Sequence, residues 1–218
     1  NDIIYRDIVV RHKLPSDRQI KEVAYYLASN YTHKFTYQSV AKATNIKSTE
    51  TVNDYIGYLE EAFLFKEAKR FNIKGNKYYE NIKKYYSVDV GLRNARLNYR
   101  QLEQTHLMES VIFNELLYRG YTVDVGVIET REMKNGKSEY RQYEIDFIAA
   151  NGNEKYYIQS AYELSTEAKR EQELQSLKRI DDSFQKIVIV KDDIMPYRDE
   201  KGIFYTGLFQ FLTSDKLM

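Results

Sequence analysis

Apolar residues recur at helical spacing in three stretches of the first third of the chain. The first stretch follows Ser16, which can form a reciprocal capping pair with Gln19, and the second follows Thr36. The third begins near Ser48, after Asn45, a residue that tolerates the left-handed geometry of a tight turn. We therefore predict three helices, the last two in the arrangement of a helix-turn-helix. The apolar positions are Ile20, Val23, Ala24 and Leu27, then Val40 and Ala41, then Val52, Tyr55, Ile56, Leu59 and Phe63.

Beyond Phe65 the pattern becomes that of β-strands, with a break at Gly75 and Asn76 and a continuation to Val88. We expect a hairpin here, which would form the wing of a winged helix. Residues 66–100 contain ten cations and three anions, and tyrosines are interleaved with the cations. Such a surface can hold phosphates and stack on bases, so we expect it to bind DNA.

The candidate nucleic-acid residues lie at the start of the third helix and along the wing. They are Lys47, Thr49, Asn53, Lys69, Arg70, Lys74, Lys77, Lys83 and Lys84. Glu50 and Asp54 lie at the same helix start and would repel a phosphate backbone. A winged helix that contacts protein is therefore the alternative interpretation.

The second half of the chain begins with a predicted helix over residues 105–118, which ends before Gly120. Glu109 lies inside the apolar stripe of this helix, where a carboxylate must be paired, protonated or bound to a cation. An ion pair with His106 or with an arginine of the core is the structural alternative to a metal. Strands follow at 121–129, 139–149 and 156–162, then a polar helix at 167–180 and a strand at 186–190. The predicted order is αβββαβ, and the strand and helix after residue 202 are expected to close the sheet.

Two further polar residues complete a candidate site in this half. Asp146 lies near the end of the second strand, and Gln159 shares a face of the third strand with Ala161. With Glu109, this arrangement resembles the PD-(D/E)XK nuclease superfamily. The resemblance implies a divalent metal, normally magnesium, held by Glu109, Asp146 and Gln159, and hard oxygen ligands suit that ion.

The resemblance also implies a catalytic lysine, and Ala161 stands in its place. Gln159 keeps a carbonyl oxygen at the second acidic position but brings no charge. The candidate catalytic set is therefore Glu109, Asp146 and Gln159 with Lys169, or its neighbour Arg170, as a substitute cation. We expect a nuclease-like domain that acts in binding or regulation. The alternatives are an active magnesium-dependent endonuclease and a module for protein contacts in which Glu109 is a buried ion-pair partner.

Ordered motifs over nearly the whole chain carry a second resemblance. They are residues 4–9, 51–60, 86–94 and 144–148 with 157–159. They resemble a bacterial and archaeal P-loop ATPase family that joins an AAA-type ATPase module to a winged helix and a restriction-endonuclease-like domain. This implies a linker at 1–15, a winged helix at 16–98 and a PD-(D/E)XK nuclease-like domain at 99–218. ATP would bind only to the module that this chain lacks, because Gly136-Lys137-Ser138 has Arg131 where a P-loop has its first glycine.

Composition narrows the choice of partner and compartment. The formal net charge of the 218 residues is +1, so any DNA contact must come from a local patch. The chain has no cysteine, which excludes disulfides and thiolate chemistry. No apolar run approaches the roughly 18 residues that a membrane helix needs, so we expect a cytoplasmic protein of the α/β (α+β) class, without membrane contact. Self-association or a protein partner remains open.

Overall fold

The structure is a computed structural model that describes residues 3–100, 102–134 and 137–217, and it is a mixed α/β fold. A π-helix spans Ile4–Val10 and a 3-10 helix spans Leu177–Arg179. The α-helices are α1 (Arg18–Ser29), α2 (Tyr37–Thr44), α3 (Thr49–Glu61), α4 (Val90–Arg96), α5 (Gln104–Tyr118), α6 (Glu167–Leu174) and α7 (Leu208–Thr213). The strands are β1 (Lys34–Phe35), β2 (Phe65–Glu67), β3 (Arg70–Asn72), β4 (Lys77–Tyr79), β5 (Lys83–Ser87), β6 (Thr122–Lys134), β7 (Lys137–Asn151), β8 (Glu154–Ala161), β9 (Gln185–Val190), β10 (Tyr197–Arg198) and β11 (Phe204–Gly207).

The chain divides into two compact units, and the division is discontinuous in sequence. The first unit comprises residues 1–68 and 80–110, and the second comprises residues 69–79 and 111–218. The predicted ranges 16–98 and 99–218 are continuous, so they differ from these units in two places. The β3–β4 hairpin belongs to the second unit, and the first turns of α5 belong to the first.

The first unit is built on α1, α2 and α3, whose apolar faces form one core. Thr36 caps α2 and exchanges hydrogen bonds with Ser39, while Ser48 accepts hydrogen bonds from the first amides of α3. Asn45 has a φ of 54°, as the predicted turn requires. The Ser16–Gln19 capping pair is absent, because the Gln19 carbonyl oxygen instead accepts a hydrogen bond from the Tyr55 hydroxyl.

A small antiparallel sheet of order β1-β5-β2 completes this unit. The π-helix also packs into its core through Ile4, Ile8 and Val9, which are buried because they share one helical face. The segment 1–15, interpreted as a linker from sequence, therefore contains ordered structure over Ile4–Val10.

Phe63 does not continue the buried stripe of α3, contrary to the sequence pattern. The helix ends at Glu61, and Phe63 follows with a φ of 55° and 79% of its surface exposed. Because the backbone of Phe63 is in the left-handed conformation, its side chain points away from the row formed by Val52, Ile56 and Leu59.

The second unit contains an eight-stranded sheet of order β10-β11-β9-β8-β7-β6-β3-β4. Strands β6, β7 and β8 form an antiparallel meander, and β9 runs parallel to β8. The predicted α-β-β-β-α-β order is therefore present as α5, β6, β7, β8, α6 and β9. The Asn135-Gly136 dipeptide, whose residue types predict a turn between β6 and β7, lies outside the described residues.

The β3–β4 hairpin differs from the free wing that the sequence pattern predicts. Strand β3 runs parallel to β6, so the hairpin forms one edge of the eight-stranded sheet. Strands β2 and β5 pair directly with each other instead. The hairpin is bound by side chains as well, since the Tyr78 hydroxyl donates to Asp124 and the Tyr79 hydroxyl to Glu129.

Candidate functional site

Glu109 lies on α5 in the first unit and is 8% exposed. Its Oε1 atom lies 2.7 Å from Nζ of Lys84 and accepts a hydrogen bond of 2.6 Å from the Tyr86 hydroxyl. Its Oε2 atom lies 3.9 Å from Nδ1 of His106, which in turn is 2.6 Å from the Thr32 hydroxyl. The carboxylate is therefore compensated by an ammonium, a phenol and an imidazole from within the same unit.

The electrostatics of Glu109 follow from these contacts. Burial by itself acts to raise the pKa of the carboxyl group. The Lys84 ammonium, with hydrogen bonds from His106, Lys84 and Tyr86, outweighs burial and holds the pKa of Glu109 below its ordinary value. Glu109 is thus ionised at neutral pH and stabilised by an internal partner.

Asp146 lies at an irregularity of β7 in the second unit. Gly126 is opposite Ile145 and Asp124 is opposite Ile148, so Asp146 and Phe147 together face a single residue of β6. This is a β-bulge, a feature that interrupts strand alternation and redirects a side chain. The regular alternation of side chains along β7 therefore fails at this point, and Ile148 joins Ile145 in one apolar cluster.

The structure brings Asp146 and Gln159 together, as the sequence predicts. Oδ2 of Asp146 accepts hydrogen bonds from Nε2 of Gln159, at 2.9 Å, and from the backbone N–H of Ser160, at 2.8 Å. The Gln159 carbonyl oxygen lies 3.4 Å from the Ser176 hydroxyl. Gln159 and Ser160 are both buried. The two predicted ligands therefore bind each other.

The positions proposed for a catalytic cation have other surroundings. Ala161 is 1% exposed and belongs to an apolar cluster with Tyr157 and Leu174. Lys169 is exposed, and its Nζ atom lies 2.7 Å from Glu163. Arg170 lies over the ring of Tyr205 and donates to the Tyr197 hydroxyl. Lys169 and Arg170 thus bind groups other than Asp146 and Gln159.

These contacts decide how well the implied magnesium ion fits. An Mg²⁺ site needs oxygen ligands directed at the ion. Here the amide nitrogen of Gln159 is directed at Asp146, and Glu109 is already neutralised by Lys84. Among the residues that the structure describes, no group of three or more His, Cys, Asp and Glu side chains is placed to hold a metal. The arrangement of Asp146 and Gln159 does not fit magnesium.

The candidate nucleic-acid residues fall into three groups. Lys47, Thr49 and Asn53 are exposed around the start of α3. Lys69, Lys74 and Lys77 are exposed on or beside the β3–β4 hairpin of the second unit. The remaining three residues are in ion pairs: Arg70 with Glu144, Lys83 with Glu67 and Lys84 with Glu109.

Burial removes two of these cations from any DNA surface. Arg70 is 1% exposed and Lys84 is 3% exposed, so neither can reach a phosphate without leaving its partner. The sequence gives equal weight to every cation in 66–100. Strand alternation would not have separated Lys84 from the exposed lysines, because four consecutive residues of β5, from Lys84 to Ser87, are buried.

The sequence indicated His106 as one alternative partner of Glu109 and placed Gln159 in one site with Asp146, but it did not identify Lys84, Tyr86 or Ser160. Lys84 and Tyr86 occupy alternate positions of β5, so they share a face and both reach Glu109. Their adjacency to an acidic helix residue depends on tertiary packing. Ser160 binds Asp146 through its backbone N–H, which leaves no signal in residue identity.

Comparisons with known proteins identify similar sequences in a bacterium and in an archaeon. A sequence family described as a domain of unknown function (DUF8612) matches residues 1–103. The chain is 31% identical over 193 residues to an uncharacterized protein of Haemophilus influenzae, a match that covers 87% of this chain and 44% of that protein. It is 27% identical over 202 residues to uncharacterized protein MJ1544 of Methanocaldococcus jannaschii, covering 91% of this chain and 42% of that protein. The chain thus spans less than half the length of each relative.

Among solved structures, protein VC1899 from Vibrio cholerae aligns with 89% of this chain and 53% of its own. The sequence identity is 12% and the TM-score is 0.30, a likeness too low to carry an argument about fold. Within the described residues, no helix is long and apolar enough to cross a membrane.

Proposed function

We propose that this chain is a binding and regulatory region that combines a winged helix with a nuclease-like domain which does not cleave nucleic acid. One observation carries the proposal: the acidic positions of the nuclease-like signature are used for internal bonding. Glu109 binds Lys84 and Tyr86, while Asp146 binds Gln159 and Ser160. Glu109 is buried and Asp146 is half-buried, and carboxylates that are already compensated in this way need no metal ion to offset their desolvation.

The arrangement of the elements supports the nuclease-like part of this proposal. The order α5-β6-β7-β8-α6-β9, with an antiparallel meander and a parallel final strand, agrees with the αβββαβ order implied by the PD-(D/E)XK resemblance. In the first unit, three helices packed with the β1-β5-β2 sheet support the winged-helix assignment. Both assignments rest on element order and strand pairing.

The surroundings of Ala161, Lys169 and Arg170 argue against the endonuclease alternative. Phosphodiester cleavage develops negative charge that a metal or a cation must stabilise. Ala161 brings no charge, and Lys169 and Arg170 are bound to Glu163 and to Tyr197. We therefore expect no metal-dependent chemistry at Asp146.

A plasmid-nicking assay tests this expectation. Supercoiled plasmid is incubated with the wild-type chain and with Asp146→Asn, in magnesium or in manganese. We expect any conversion to the nicked form to be equally slow with both proteins. Nicking by the wild type that Asp146→Asn abolishes would support the endonuclease instead.

The binding half of the proposal concerns duplex DNA. Lys47, Thr49 and Asn53 surround the Ser48-capped start of α3, where helix amides and a cation favour a phosphate. Glu50 and Asp54 are exposed on the same turns and oppose it. We propose that contact through this helix start is weak and strongly dependent on salt.

Fluorescence anisotropy with a labelled duplex measures this contact. Lys47→Gln is compared with Lys201→Gln, an exposed lysine of the second unit with the same change of charge. We expect Lys47→Gln alone to weaken binding and to lower the slope of log affinity against log salt by about one. No salt-sensitive binding by the wild type would contradict the DNA contact and favour a protein partner.

A protein-contact module is the second candidate, and one observation favours it. The Lys84–Glu109 pair gives Glu109 the structural role that this alternative assigns to it.

Under either candidate, the ATPase resemblance leads us to propose that the region works within a larger ATP-driven protein. ATP hydrolysis by a longer polypeptide that contains this chain, and none by the 218 residues alone, is the expected result.

A further inference from the structure

The first unit contains an apolar groove of about 540 Å³. Volumes of this order are typical of sites for small organic ligands, which are mostly apolar with a few polar groups. Its apolar lining includes Ile3, Ile4, Ala24, Tyr25, Phe63 and Leu92. Tyr25, Phe63 and Leu92 are more than half exposed, at 53%, 79% and 52%. The groove therefore leaves apolar surface in contact with water, which a ligand would remove.

Phe63 gives the groove a strained wall. Its φ of 55° places a phenylalanine in the left-handed position that normally follows a helix as glycine. The amides of Phe63 and Leu64 donate to Glu60 and Leu59, so the helix end fixes this geometry. Because the Phe63 side chain is exposed, the strained backbone does not add buried apolar surface to the core. Such strain is concentrated at ligand-binding sites.

Arg96 supplies a cation at the groove. It is half-buried on α4, and its Nη2 atom donates to the carbonyl oxygen of Lys21 at 2.7 Å. Burial lowers the pKa of its guanidinium. Over the residues that the structure describes, no carboxylate lies within ion-pair distance of Arg96. The side chain therefore keeps a positive charge beside apolar walls without an internal counter-ion.

The other charged residues of the groove have partners within the unit. Asp89 caps α4 by accepting from the amide of Leu92. Arg93 donates to the carbonyl oxygen of Ala28 and to Asn94, and its guanidinium lies 3.9 Å from the ring centre of Tyr31. Arg96 is thus the cation best suited to an external anion.

We propose that this groove binds a small amphiphilic carboxylate, with its apolar chain against Ile4, Phe63 and Leu92 and its carboxylate at Arg96. Charge-assisted hydrogen bonds to a guanidinium favour a carboxylate over a neutral group of equal length. The proposal is independent of DNA binding and of the chemistry at Asp146.

Calorimetric titration with dodecanoate, below its micelle concentration, tests this site on the 218-residue chain. Dodecan-1-ol has the same carbon chain without the charge, and acetate has the charge without the chain. We expect dodecanoate to bind about tenfold more tightly than the alcohol, because one charge-assisted bond is gained. Acetate is expected to show no measurable binding.

Two variants locate the binding. Arg96→Gln should remove the preference for the acid over the alcohol, while Arg18→Gln, an exposed arginine outside the groove, should leave it unchanged. Ala95→Leu places a larger side chain at an exposed helical position of the groove and should weaken both ligands without disturbing the core. Thermal denaturation checks that each variant is folded.

Three results would overturn the proposal. They are no binding of dodecanoate by the wild type, equal affinity for dodecanoate and dodecan-1-ol, and dodecanoate binding that a folded Ala95→Leu variant retains in full. The last result would place the ligand elsewhere on the chain.

Discussion

Single residues contribute most clearly to the free energy of unfolding at the Lys84–Glu109 ion pair, because both side chains are buried. Glu109→Gln leaves a buried ammonium without its counter-ion, and we expect it to lower the free energy of unfolding by about 3–5 kcal/mol. Replacing both partners, as in Lys84→Met with Glu109→Leu, should cost clearly less, because no charge is left unpaired. Chemical denaturation of the three proteins measures the difference. A double variant less stable than Glu109→Gln would contradict this account.

The same pair predicts a dependence of stability on pH. The pKa of Glu109 is lower in the folded protein, so the ionised carboxylate favours folding. Its contribution is complete above the unfolded pKa of about 4.3 and is lost as the pH falls through the lower folded pKa. We expect the stability gap between wild type and Glu109→Gln to be constant from neutral pH to about pH 5, and then to narrow. A stability difference between the two proteins that widens as the pH falls would show that the pKa of Glu109 is not lowered in the folded state.

Phe63 allows a third prediction, on strain. Phe63→Gly relieves a left-handed backbone cost of about 1–2 kcal/mol and adds about 0.5–1 kcal/mol of unfolded-chain entropy. We expect a net gain in stability of between about 0 and about 1.5 kcal/mol, with weaker dodecanoate binding. Phe63→Ala is the control, because it removes the ring and keeps the strain. A Phe63→Gly variant that is less stable than Phe63→Ala would refute the strain.

Residue-scale inference from sequence had a clear limit. The apolar stripe of α5 showed that Glu109 needed a partner, and the partner is present. Its identity, Lys84 on β5, depends on which strand packs beside the helix. Residue type and spacing contain no such information.

At the scale of elements, the β3–β4 hairpin shows which part of a strand prediction is local. Gly75 and Asn76 mark its turn, and the strand pattern on either side is correct. Its pairing with β6 is long-range, so the pattern could not distinguish a free wing from a sheet edge. The bulge at Asp146 escaped prediction for a similar reason, because the extra residue is defined only against β6.

Tyr79 provides the test at this scale. Its hydroxyl donates to Glu129 and accepts from Asn72, and burial together with Glu129 raises the pKa of Tyr79 to about 12. Tyr79→Phe should lower the free energy of unfolding by about 1–2 kcal/mol, because Glu129 and Asn72 lose a partner. Tyr118→Phe, at a site 87% exposed, should change it by less than about 0.5 kcal/mol. Equal effects of the two substitutions would show that the hydroxyl does not hold the hairpin.

At the scale of the whole chain, the order of elements was readable from sequence and the division into units was not. Periodicity identified α1, α2, α3, α5, α6 and the strands β6 to β9, together with β11 and α7 after residue 202, but it missed the π-helix, β1, α4 and β10. The segment 69–79 belongs to the second unit, and a further boundary lies between Ser110 and Val111. No change of composition marks either place. The expected meeting of Asp146 with Gln159 is observed, and the bond between them changes what the pair can do.

The central proposal is that the side chains of Asp146 and Gln159 are hydrogen-bonded to each other and hold no catalytic metal. Thermal denaturation of the wild type and of Asp146→Asn across millimolar magnesium or manganese measures this directly, because an ion that binds the folded state raises its midpoint. We predict the same response to metal in both proteins. A midpoint that rises with metal in the wild type and stays constant in Asp146→Asn would contradict this proposal and favour the endonuclease alternative.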